Sequence, residues 1–149
     1  MDDLLIWYTL IMVAEVSAGS QEIEHTADWE LLVWAPDLTA LLEQSARGMY
    51  RLQAIKLKTG PRYERQFELT IQDPESLLVE FLSELLHFID TEELVFDEFD
   101  LRITGNKLMA CMTGAPIKKI AKEIKAVTYH NLRVRQTKRG LETNVVFDV

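Results

Sequence analysis

The run DPESLLVEFLSELLHFID, residues 73–90, constrains the fold more than any other stretch. Asp73 is suited to an N-cap, and Pro74 follows at the first helical position, where its missing N–H costs nothing. Glu75 favours the positive end of the helix macrodipole. Leu78, Phe81, Leu82 and Leu85 recur at helical spacing and form one apolar face. A helix of this kind must bury that face against a second layer. The flanking sequence supplies strands for it. Residues 62–72 alternate, with Tyr63, Phe67, Leu69 and Ile71 on one side, and Gly60-Pro61 marks the turn before them. Residues 94–104 and 107–113 read as two strands joined by the hairpin signal Gly105-Asn106.

The remaining elements follow the same logic. Residues 22–34 read as a first strand. APDLTALLEQSARGMYRL, residues 35–52, switches to helical period, with Asp37 as cap and Leu38, Leu41, Leu42, Ser45 and Met49 as the buried stripe. Gly114-Ala115-Pro116 is expected to break the sheet, and IKKIAKEIK, residues 117–125, to form one or two helical turns. Residues 126–136 and 141–148 complete the strands, with Lys138-Arg139-Gly140 at their turn. The order is strand, helix, strand, helix, then four strands. It predicts an α+β single domain: a mixed, mostly antiparallel sheet with two main helices packed on one face.

Composition narrows function. The 149 residues suffice for one domain with a core. A net charge of −8 argues against a domain that grips nucleic-acid backbone. It suits cation binding or a basic partner surface. Cys111 is the only cysteine, which excludes an internal disulfide and a cysteine-rich zinc site. Its neighbours Met109, Ala110 and Met112 suggest a buried strand thiol. The apolar run at residues 4–14 is too short to span a bilayer. It has the length of a signal-peptide core, and Val16-Ser17-Ala18 offers a cleavage pattern, but Asp2-Asp3 stands where a positive flank belongs. An extra packed element or a start called too far upstream are the alternatives.

No phosphate-binding glycine loop, dinucleotide fingerprint, HExxH or serine elbow occurs. His25, His87 and His130 are isolated, and His87 lies on a helix that already has its core face. Two stretches remain. In IEHTAD, residues 23–28, strand alternation sets Ile23, His25 and Ala27 on one face and Glu24, Thr26 and Asp28 on the other. Strand interiors disfavour Asp, so Asp28 is solvated, paired or holding something. The second is EIKAVTYHNLRV, residues 123–134, followed at the chain end by VVFDV. Strand alternation would put Thr128, His130, Leu132 and Val134 on one face, with Val127 and Tyr129 packing on the other. Asp148 beside the last residue brings a carboxylate, a backbone carbonyl and a terminal carboxylate together, oxygens of the kind Ca²⁺ or Mg²⁺ take. A solvated acid is the plainer reading of such a residue.

His25-Thr26-Ala27-Asp28, the helix LLVEFLSELLHFIDTE, the run IKAVTYHNL and the final Phe147-Asp148-Val149 stand in the order found in archeases. Residues 22–149 thus resemble the archease family, and residues 1–21 form an apolar extension outside the match. The resemblance implies an accessory protein, not an enzyme. Archeases assist the RtcB-type tRNA-splicing ligase, which uses GTP and Mn²⁺, and promote its guanylylation and multiple turnover. It also implies a divalent-metal site, commonly Ca²⁺ with Mg²⁺ or Mn²⁺ as alternatives, formed by Asp28, Asp148 and a backbone oxygen of Val149. Lys125 would balance that site or reach the ligase. His25 would be a structural histidine, and His130 is a motif residue without a derivable role. The implied setting is a cytoplasmic protein, monomeric when free, meeting RNA only through the ligase and having no membrane partner. Two departures stand out: Trp29-Glu30 follows HTAD where the family often has a small residue, and Glu84 and Asp90 have no assigned role. A chaperone-like adaptor without a dedicated ligase is the competing reading. A metal-dependent hydrolase using Asp28 and Asp148 lacks a base, nucleophile or electrophilic donor.

Overall fold

The computed structural model describes residues 17–23 and 28–149. The apolar run at 4–14 and His25 lie outside the described residues. Among the described residues, nine strands and two helices follow in the order β1 (Gly19–Ile23), β2 (Trp29–Ala35), α1 (Leu38–Leu52), β3 (Lys56–Leu57), β4 (Tyr63–Thr70), α2 (Pro74–Glu92), β5 (Leu94–Thr104), β6 (Lys107–Lys119), β7 (Ala126–Thr128), β8 (Arg135–Thr137) and β9 (Gly140–Asp148). The architecture is α+β. The strands divide into two sheets, and all their pairings are antiparallel among the described residues.

Each sheet has one long strand as its spine. β9 pairs with β2 along one edge and with β7 and β8 at the two ends of the other, while β1 extends the sheet beyond β2. β6 pairs with β4, β5 and the short β3. The helices join the two sheets. α1 packs on β1, β2, β5 and β9, and α2 on β4, β5 and β7. One continuous core results, with Leu31 and Val33 from β2, Leu41 and Leu42 from α1, Phe81 and Leu82 from α2, Phe96 from β5 and Phe147 from β9. Each fully buried side chain of this size contributes roughly 1.5–3 kcal/mol.

The caps act as the sequence predicts. Asp37 Oδ1 accepts from the Ala40 N–H at 2.9 Å. Asp73 Oδ1 accepts from the Ser76 N–H at 2.7 Å, and Ser76 Oγ donates to Asp73 Oδ2. Removing the second cap, Asp73→Ala, should cost about 1 kcal/mol. Thermal unfolding would show it as a fall in Tm of about 2–4 °C, with the far-UV circular dichroism of the native state unchanged. Arg65 of β4 also ties down the end of α2: its Nη2 donates to Glu92 Oε1 at 2.7 Å and holds that carboxyl below its ordinary range. Gly105, at φ +60°, takes the first central position of the β5–β6 hairpin, which links Thr104 and Lys107.

Four expectations need correction. The strand expected at 22–34 is two strands, β1 and β2, which pair with each other through contacts such as Ile23 with Glu30. The sheet does not break at 114–116. β6 runs through that segment because both flanks are paired, Leu94 with Pro116 on β5 and Leu57 with Ile117 on β3. No helix forms at 117–125: β6 continues to Lys119, and residues 120–125 are an irregular strap with a bend at Ala121 that links β6 to β7. The Ala121 and Lys122 N–H groups donate to Gln53 O, and Ile124 is buried. The strand expected at 126–136 is interrupted after Thr128. There the Leu132 N–H donates to Tyr129 O and Asn131 takes φ +51°, a turn geometry that strand pairing cannot accommodate.

Candidate functional site

The β2–β9 ladder decides where the two aspartates lie. Trp29 pairs with Phe147, Glu30 with Val146 and Leu31 with Val145, and so on to Ala35 with Leu141. One further step of that register sets Asp28 across from Asp148. Along β9 the residues Thr143, Val145 and Phe147 are buried, and along β2 so are Leu31, Val33 and Ala35. Alternation turns Asp148 to the face opposite Phe147, where Val146 is still buried, and Asp148 and Asp28, the latter at the bend before β2, are both exposed. Asp28 lies just before β2 begins, not in a strand interior as expected, so the penalty for Asp inside a strand does not arise.

The other edge of β9 closes the same end. Ala126 pairs with Asp148, and the Lys125 N–H donates to Asp148 O at 2.8 Å. Lys125 is thus brought to the aspartate end by its main chain, with its side chain exposed. Val149 is half-buried and packs on the core, which anchors the segment that carries Asp148. Trp29 is half-buried too, and Lys122 Nζ stands 4.3 Å from the centre of a Trp29 ring. The bulky residue after the motif therefore packs between core and strap.

Glu30 was not singled out from sequence. It shares the outward face with Asp28, two residues on, and its Oε2 accepts from Asn144 Nδ2 at 2.9 Å. Strand alternation alone would have revealed it, had the start of β2 been known. His130 is in the exposed turn after β7, and its N–H donates to Thr128 Oγ1 at 3.3 Å. It is not on a strand face shared with Leu132 and Val134, because the turn at Asn131 ends the alternation. Cys111 is half-buried on the outer side of β6, with its Sγ 3.7 Å from Gln66 Oε1, and is not a core thiol. Its neighbours Ala110 and Met112 take the inward positions.

Three of the expected residues, Asp28, Asp148 and Lys125, thus converge on one end of one sheet, with Val149 beside them. Among the described residues, no three His, Cys, Asp or Glu side chains cluster closely enough to hold a metal ion. The oxygens offered at this end are two carboxylates and main-chain carbonyls. Such hard donors fit Ca²⁺, whose shell is commonly completed by carbonyls and water. No described helix is long and apolar enough to cross a membrane.

The chain matches the family model of the archease protein family over residues 21–149. It is 32% identical over 136 residues to the protein archease of Methanosarcina mazei, covering 85% of this chain and 93% of that one. It is 34% identical over 128 residues to the protein archease of Thermococcus kodakarensis, covering 80% and 90%. In structure it resembles the Thermotoga maritima protein described as an archease and possible chaperone, with TM-score 0.65, 28% identity and 87% and 96% of the two chains covered. It also resembles Methanobacterium thermoautotrophicum protein 1598, with TM-score 0.69, 26% identity and coverage of 88% and 99%. With its fold and most of its length shared in this way, the chain belongs to the archease family.

Proposed function

We propose that this protein is an accessory factor that activates an RtcB-type, GTP-dependent RNA ligase of tRNA splicing or RNA repair. The observation that carries the reading is the convergence of Asp28, Asp148 and Lys125 at one exposed end of an archease fold. Asp28 and Asp148, with a main-chain oxygen of Val149, would hold a divalent cation such as Ca²⁺. That cation would supply positive charge for arranging phosphate oxygens or ligase side chains.

The chain's own residues do the rest. The β2–β9 ladder pairs Trp29 with Phe147, the residues next to the two aspartates, so both acids would contribute to one acidic tip. The Lys125 N–H holds the Asp148 main chain in place, and the exposed Lys125 side chain would meet the ligase beside the tip. A tip of this kind acts by binding one state of the ligase more tightly than another, which shifts the ligase toward the state competent for nucleotide transfer. No step requires the protein to act as an enzyme, and RNA is met only through the ligase.

The Thermotoga relative's description as a possible chaperone supports a second reading, a protein-binding adaptor with no dedicated ligase. The two separate by experiment. Incorporation of labelled GTP into the ligase from the same source should rise severalfold when this protein is added. Unchanged incorporation, together with suppressed aggregation of an unrelated heat-denatured client, would decide for the adaptor.

A further inference from the structure

α1 ends at Gln53, whose main chain is fully engaged. Its N–H donates to Met49 O at 3.2 Å, and its carbonyl accepts from the Ala121 and Lys122 N–H groups at 3.0 and 3.4 Å. Its side chain is different. Gln53 is only 1% exposed, and its Oε1 is buried without a hydrogen-bond partner. Buried polar groups are normally satisfied, so this unpaired amide oxygen marks a place where a partner belongs. Gln53 lines a recess of about 220 Å³ between the last turns of α2 and the 120–125 strap. Leu86, Ile89 and Ile124 form apolar walls, and the exposed carboxylates of Asp90 and Glu123 line it as well. Among the described residues neither carboxylate has a side-chain hydrogen bond or an ion pair.

We infer that this recess takes the guanidinium of an arginine side chain presented by a protein partner. Two carboxylates against the single cation of Lys125 leave it net negative and select a cation. Its volume equals that of about seven liquid waters, more than a stripped metal ion fills. A long side chain suits it better, with the aliphatic stem against Leu86, Ile89 and Ile124. The guanidinium is a flat fork of five donors, which satisfies carboxylates and the Gln53 oxygen at once. A lysine ammonium has three donors, is more strongly hydrated, and matches this set of acceptors less well. A neighbouring recess of about 380 Å³ shares Ile89, Asp90 and Glu123 and adds Glu93, Ile117 and Ile120 together with Lys118 and Lys119, whose charges offset two of its three carboxylates. The groove therefore continues past the arginine position, as the flanking residues of a polypeptide require.

The test is an NMR titration of the full chain that follows the Gln53 side-chain amide and the Ile124 backbone amide. N-acetyl-arginine amide should shift both saturably, and N-acetyl-citrulline amide, its neutral counterpart, should not. The double variant Asp90→Asn/Glu123→Gln changes only exposed groups and should keep the native spectrum elsewhere. It should weaken the arginine isotherm about tenfold or more, equivalent to about 1.4 kcal/mol. The inference fails if arginine leaves the Gln53 amide unmoved, if citrulline matches arginine, or if the double variant binds like the wild type. A response to Ca²⁺ or Mg²⁺ in place of arginine would also overturn it. The recess shares Lys125 with the aspartate end but includes neither Asp28 nor Asp148, and the double variant leaves Lys125 in place, so this test and the ligase test fail separately.

Discussion

Gly114→Ala should destabilise the protein by about 3 kcal/mol or more, a large share of the 5–15 kcal/mol that holds a typical domain. At this point β5 carries a bulge: Phe96 pairs with Gly114 and Glu98 with Thr113, so Asp97 has no opposite number. The bulge drives the β5 main chain against β6. A Cβ on residue 114 would lie 1.9 Å from Val95 O and 2.7 Å from Phe96 Cα. Both are backbone atoms within a paired ladder and cannot swing aside. Phe96 is also fully buried and meets Phe88 of α2 edge-on at 5.2 Å, so a shift of β5 disturbs the contact with the helix. For a domain of this size the expected fall in Tm is about 6–12 °C. A calorimetric scan showing the variant within 2 °C of the wild type would contradict this close approach of the two strands.

The second large effect concerns the aspartate end and rests on the proposed metal site. Asp28 and Asp148 are exposed, so replacing either with Ala should leave the metal-free Tm nearly unchanged. The wild type should gain stability from Ca²⁺. At a free concentration one hundred times Kd, a ligand bound only by the native state adds about 2.7 kcal/mol. The corresponding rise in Tm is about 5–10 °C, reversed by chelator. Asp148→Ala should remove the rise, since it deletes one of two carboxylates and leaves the other with main-chain oxygens alone. A wild type whose Tm ignores Ca²⁺, Mg²⁺ and Mn²⁺ would show that the two acids serve the partner directly. A variant that unfolds without metal would make Asp148 structural.

Local signals in the sequence were sufficient where a short-range interaction decides the structure. Asp37 and Asp73 cap because a carboxylate three residues before an orphan N–H has little else to do, and Gly105 turns because the hairpin needs its positive φ. The failures lie where distant pairing overrides local pattern. Ile117, Ile120 and Ile124 have spacings that a helix would also show. What decides their fate is Leu57, sixty residues away, in a strand of two residues with no signature of its own. Asn131 ends β7 by a left-handed conformation that the surrounding β-rich composition conceals. The division into two sheets is likewise a matter of which long strand becomes a spine, and alternation says nothing about partners.

The candidate site shows the same division. Asp28, Asp148, Val149 and Lys125 stood out through the motif resemblance, and composition alone would not have joined residues 120 positions apart. The β2–β9 register supplies the physical reason for their meeting. Glu30 was noted only as part of a departure from the motif, because its place on the outward face depends on where β2 starts. Gln53 gave no signal at all, since an unpaired amide oxygen is a property of packing.

The most direct test is multiple-turnover RNA ligation by a limiting amount of the RtcB-type ligase from the same source, with GTP and Mn²⁺, comparing wild type and Asp148→Ala. Many turnovers per ligase with the wild type, and about one with the folded variant, is the expected result. Equal turnover with both, or no stimulation by the wild type of a ligase shown to be active, would contradict the assignment of ligase activation to the aspartate end.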